Sequence, residues 1–91
     1  MKGVVNFTFI GPGFKCYGGY GADAEVFNCD DIESGTKYCI KATNPNGTVG
    51  IRGCGLPSVI GYMESIGFQI PGCTKKFGYE TCVCSKEKCN N

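Results

Sequence analysis

Lys37-Tyr38-Cys39-Ile40-Lys41-Ala42-Thr43-Asn44-Pro45-Asn46-Gly47-Thr48-Val49-Gly50-Ile51-Arg52-Gly53-Cys54-Gly55 reads as a β-hairpin with one cysteine in each arm. Tyr38, Ile40 and Ala42 alternate with Lys37, Cys39, Lys41 and Thr43, the period of two that places alternate side chains on opposite faces of a strand. Pro45 presets its own φ and the Asn46-Gly47 pair suits positive φ, so the chain reverses there and returns through Thr48, Val49 and Ile51 towards Cys54.

Before this hairpin, residues 14–20 and 24–29 carry the aromatic and β-branched content of two further strands around a turn at Gly21-Ala22-Asp23, which predicts a second hairpin. On the other side, Pro57-Ser58 followed by Val59, Ile60, Tyr62, Met63 and Ile66 predicts a short helix within residues 57–67, weakened by Gly61 and Gly67. From Gln69 onward turn and strand chemistry returns, with Cys73, Cys82, Cys84 and Cys89 crowded near the end. Residues 1–13 read as an N-terminal arm: Val5, Phe7 and Phe9 alternate with Asn6 and Thr8 until Gly11-Pro12-Gly13 ends the strand. The apolar stretch 4–10 is too short for a signal-peptide core or a membrane span, so Met1 is expected to begin a trimmed chain.

Eight cysteines in 91 residues place the chain among small disulfide-rich secreted domains, whose limited core needs covalent support. Nine basic against eight acidic residues leave a net charge of +1, without the basic footprint of a nucleic-acid binder. The absence of histidine removes His-based catalytic triads and Cys/His zinc sites. A metal centre of Cys73, Cys82, Cys84 and Cys89 would need four thiolates, and the spacing lacks the two Cys-x-x-Cys pairs of a zinc ribbon. Asp30, Asp31 and Glu33 could be imagined as catalytic carboxylates, but nothing in the sequence marks a buried cleft around them, and a solvated turn is the simpler reading. Together with Asp23 and Glu25 they form an acidic stretch that holds no Lys or Arg. No catalytic residue, metal or cofactor is expected. Two sequons, at Asn6 and Asn46, fit a chain that passes through a secretory pathway.

Eight cysteines allow 105 pairings, which counting alone does not resolve. Cys16-Tyr17, Cys39, Arg52-Gly53-Cys54-Gly55, Cys82-Val83-Cys84 and the terminal Cys89-Asn90-Asn91 stand in the order and spacing of the three-finger proteins. Over residues 14–91 the chain resembles this superfamily, which includes lymphocyte-antigen-6/urokinase-receptor domains and snake neurotoxins. The resemblance implies a mostly-β domain with three hairpins radiating from a four-disulfide base. It also implies the pairs Cys16–Cys39, Cys29–Cys54, Cys73–Cys82 and Cys84–Cys89, and a structural hydrogen-bonding role for Asn90. Three departures stand out. Val83 separates two cysteines that are adjacent in many relatives, the Cys-x-x-Cys opening of the lymphocyte-antigen-6 branch is missing, and 18 residues intervene between Cys54 and Cys73. Residues 55–72 are therefore either the third finger or an insertion beside a shortened one.

Functionally the resemblance implies extracellular protein recognition without catalysis, in the ectodomain of a cell-surface protein held by a lipid or a membrane segment outside this chain. The alternatives are a freely secreted ligand or toxin-like modulator of a receptor or channel, and the ectodomain of a growth-factor receptor kinase. The second fingertip carries one cation, Lys41, no aromatic residue and a sequon, which departs from the neurotoxin pattern. Phe14, Tyr17, Tyr20, Phe27 and Tyr38 are expected mostly to pack between fingers. Ile60, Tyr62, Met63 and Phe68, in the segment furthest from the family plan, are the candidate partner contacts, with Lys41; the alternative for this segment is a small core of its own that roofs the sheet. Asn46, at a turn tip, is the expected glycan acceptor, with Asn6 modified less completely.

Overall fold

A computed structural model describes residues 13–91, so the expected N-terminal strand and the Asn6 sequon lie outside the described residues. Strands β1 (Lys15–Tyr20) and β2 (Glu25–Asn28) form the first hairpin, β3 (Tyr38–Thr43) and β4 (Val49–Gly55) the second, and β5 (Gly72–Lys76) and β6 (Tyr79–Cys84) the third. All neighbours are antiparallel, in the order β2-β1-β4-β3-β6-β5. The fold is thus mostly β, with a 3-10 turn at Cys29–Asp31 and, among the described residues, one helix, α1 (Pro57–Ser65). This resolves the alternative left by residues 55–72: they carry the helix, inserted between the second and third hairpins.

The four disulfides join Cys16 to Cys39, Cys29 to Cys54, Cys73 to Cys82 and Cys84 to Cys89, the pairs that the resemblance implies, and no cysteine is left free. The first two interleave in sequence and tie the first hairpin and its following turn to both arms of the second. Each contributes on the order of 2–4 kcal/mol by restricting the unfolded chain. Cys16, Cys29 and Cys39 are inaccessible to solvent and pack with Phe14, Cys54 and Cys84 as one small core.

A second core lies under the helix. Alternation in β3 sends Cys39 to the disulfide core, while Tyr38 and Ile40, its neighbours in sequence, pack against Ile60, Met63 and Val83, with Phe68 and Ile70 closing the sides. Ile60 and Met63, three apart and therefore on one helix face, retain only 7% and 8% of their exposure. Burial of each is worth about 1.5–3 kcal/mol. The helix comes close to the sheet because position 55 is glycine: a Cβ there would lie 2.7 Å from Tyr38 Cβ and 3.1 Å from Ile60 Cδ1.

Local chemistry fixes the helix ends. Pro57 stands at the first turn, where its missing N–H costs nothing, but Leu56 at the N-cap offers no side-chain acceptor. Glu33, from the loop before β3, supplies one instead, its Oε1 accepting from Ser58 N at 3.4 Å and Ser58 Oγ at 2.7 Å. At the other end Gly67 takes positive φ, and the Phe68 N–H returns to the Met63 carbonyl.

Candidate interaction surface

The C-terminal Asn90 holds the three central strands in place. It is 2% exposed, and its Nδ2 donates to the carbonyls of Tyr17 (2.8 Å), Ile40 (2.9 Å) and Gly53 (3.3 Å), while its Oδ1 accepts from Tyr17 N at 3.0 Å. One side chain therefore bonds β1, β3 and β4 at once. Arg52 Nε donates back to the Asn90 carbonyl at 3.0 Å, and Lys41 Nζ to the Asn91 carbonyl at 3.0 Å. Lys41 therefore stands away from the fingertip, where its sequence reading put it. Its partners in register are Arg52 and Cys82, mid-strand, and the tip of the second hairpin is formed by residues 44–48.

Asp30 is likewise structural. Its Oδ2 accepts from Phe14 N at 2.8 Å and its Oδ1 from Gly35 N at 2.9 Å, closing the base of the first hairpin. Hydrogen bonding, from the Phe14 N–H above all, holds its carboxyl below the usual carboxylate range. With the folded value below the unfolded value of about 3.9, this contribution to stability is complete above the unfolded value and lost as pH falls through the folded one. The thermal midpoint is expected to fall more steeply between about pH 5 and pH 2 in the native chain than in Asp30→Asn. Parallel curves would contradict the assignment.

The five candidate contacts separate sharply in the structure. Ile60 and Met63 are core residues, a correction to their sequence reading: their spacing is that of the buried helix face. Phe68 is half-buried at the edge of the same core, with Lys76 Nζ 5.6 Å from its ring centre. Tyr62, adjacent to Met63 but turned outward, is 66% exposed and shares the outer side with exposed Val59 and Ile66. Among the aromatics expected to pack between hairpins, Phe14 packs on the disulfide core, Tyr38 packs under the helix and Tyr17 is half-buried, whereas Tyr20 is 76% exposed and Phe27 is also exposed.

The tip of the third hairpin was not singled out by sequence. Phe77 and Gly78 both take left-handed backbone, with φ of 54° and 85°, the signature of a two-residue type I′ turn whose usual residues are Asn and Gly. For phenylalanine that conformation costs about 1–2 kcal/mol. The ring gains no burial in return, being 96% exposed, and Tyr79 beside it is exposed as well. Gly78 lies against Pro45, so the second and third tips adjoin. At the second tip Asn46 is exposed and its Oδ1 accepts from Thr48 N at 3.1 Å and Thr48 Oγ1 at 2.7 Å, ordering the sequon as an Asx turn.

At the far end of the sheet a cavity of about 210 Å³ opens between α1 and the base of the second hairpin, lined by Gly35, Lys37, Tyr38, Gly55, Pro57, Ile60, Gly61 and Glu64. Two cysteine groups converge as metal ligands would, Cys16 with Cys29 and Cys54, and Cys73 with Cys82 and Glu80, but every sulfur in them is spent in a disulfide. Among the described residues no helix is long and apolar enough to cross a membrane. No protein-family model matches the chain, and comparison with curated proteins and with solved structures finds no significant match.

Proposed function

We propose that the chain is a non-enzymatic protein-recognition module of the three-finger type, displayed outside the cell as the ectodomain of a membrane-anchored surface protein. The observation that carries this reading is a division within the fold. The base is pinned by interleaved disulfides and Asn90, whereas large apolar side chains on the hairpin tips and the outer helix face are left in water. Rigid scaffolds that present variable loops are where recognition residues concentrate. Four disulfides fit folding in an oxidising compartment. The engagement of Asp30 by backbone N–H groups and of Glu33 by the helix start supports the absence of catalysis, since neither carboxylate stands in a reactive pair. The bonding of Lys41 to the C-terminal backbone favours this reading over a channel-blocking second finger. Asn46, ordered and exposed at a tip, is the proposed glycan acceptor.

The test is attachment of the labelled domain to the surface of unpermeabilised cells. Binding is expected to saturate and to weaken about tenfold or more in Tyr62→Asp, as for an aromatic anchor at an interface, with folding preserved. Non-saturable attachment, or attachment indifferent to Tyr62→Asp and Tyr79→Asp alike, would sink the reading.

A further inference from the structure

Two surface features without a role in the fold lie at opposite ends of the molecule. One is the knob, Phe77, held out on strained backbone where Asn would sit without strain. The other is the cavity of about 210 Å³ beneath the start of α1, with Tyr38, Pro57 and Ile60 as its apolar wall and Gly61 opening it to solvent. We propose that the chain self-associates head to tail, each copy seating its Phe77 in this cavity of the next.

Size and charge both fit. An apolar cavity of about 150 Å³ takes a benzene ring, so the larger space here admits a phenylalanine side chain. Gly61 contributes no side chain to obstruct entry, and nothing lies within 4 Å of where its Cβ would be. Lys75 and Lys76 precede the knob in β5 and Glu80 faces Lys75 in register, which leaves one positive charge in excess at that tip, while Glu64 lines the cavity and Glu33 is bonded to Ser58 at the start of the same helix. Lys37 also lines the cavity and balances Glu64 there, so the single carboxylate in excess is Glu33, beside the lining at the helix start.

Register explains why one chain cannot satisfy itself. Tyr38, at the cavity, pairs with Gly55 at the base of β3, whereas Thr43, at the other end of that strand, pairs with Glu80 close to the third tip. The knob and its socket are separate patches on each copy, so the contact is heterologous and repeats into a ring or an open chain. A single ring buries on the order of 150–250 Å², well below the roughly 1,200 Å² of a stable interface. Association is therefore weak and depends on local density. The proposal stands independently of the extracellular reading.

Sedimentation velocity of the disulfide-intact chain, from about 5 µM to about 1 mM at low and high salt, tests it. The average mass is expected to rise above the 9.7 kDa monomer with concentration and to rise less in high salt. Phe77→Asn removes the knob and Gly61→Leu fills the socket; each is expected to weaken association about tenfold or more. Both suit the fold, since Asn tolerates left-handed backbone and Leu is a better helix former than Gly. Thermal midpoints at or above that of the native chain certify that they are folded. Mixed together, the first variant still offers a socket and the second a knob, so they should form a 1:1 pair that grows no further. A native chain that stays monomeric throughout, association that survives both variants, or a mixture no heavier than its parts overturns the proposal.

Discussion

Asn90→Ala is expected to lower stability by about 3 kcal/mol and the thermal midpoint by about 15 °C. The substitution strands the carbonyls of Tyr17, Ile40 and Gly53 and the N–H of Tyr17 in a site that water reaches poorly. A buried backbone group without a partner costs about 1–3 kcal/mol, and the relaxed C-terminal loop recovers part of the sum by admitting water. Asn90→Asp separates the bonds from the packing. It keeps the volume and the acceptor for Tyr17 N but donates to none of the three carbonyls, and it should be at least as damaging. Thermal unfolding of both variants with disulfides intact is the measurement. A loss below about 1 kcal/mol in each would mean that the disulfides alone hold the strands together.

Met63→Asp is the second large effect. The side chain it replaces is enclosed by Ile60 and Val83 with Tyr38, Ile40, Phe68 and Ile70 around them, and no cation lies in that group. Truncating a buried methionine costs about 2–5 kcal/mol, and an unpaired carboxylate adds its desolvation. The total reaches much of the roughly 5–13 kcal/mol available to a domain this size. The helix and the third hairpin, which share Val83, should lose protection from hydrogen exchange first, leaving the disulfide core around Cys16 and Cys39 the more protected.

What was legible in the sequence and what was not follow from the range of the interactions involved. The second hairpin could be read from Tyr38 to Gly55 because alternation and an Asn46-Gly47 turn are local signals. The inward face of α1 was equally local: Ile60 and Met63 stand three apart, and reading them as surface contacts gave weight to a departure from the family plan over helical spacing. The socket and the clasps were not legible. Glu33 caps a helix 25 residues away, Asp30 takes the N–H of Phe14, and Asn90 reaches residues 37, 50 and 73 positions earlier; only the fold brings them together. For Asn90 the family resemblance supplied what local chemistry could not. The knob left a faint local signal, an aromatic pair astride Gly78 after two lysines, but a Phe-Gly turn with both residues left-handed runs against residue preference. Sequence reading fails where a residue is placed against its own propensity, and such places concentrate at functional sites.

Buried side chains hold this fold, while exposed ones on the same elements bear little of its stability. Tyr62 and Met63 are adjacent on one helix and differ in exposure by 66% against 8%, so the thermal midpoints of Tyr62→Asp and Met63→Asp, measured side by side with disulfides intact, test it most directly. A midpoint within about 2 °C of the native chain is expected for Tyr62→Asp, because a charge added in water costs little, and a fall of about 15 °C or more for Met63→Asp. Equal losses in the two variants, or a larger loss at Tyr62, would contradict it.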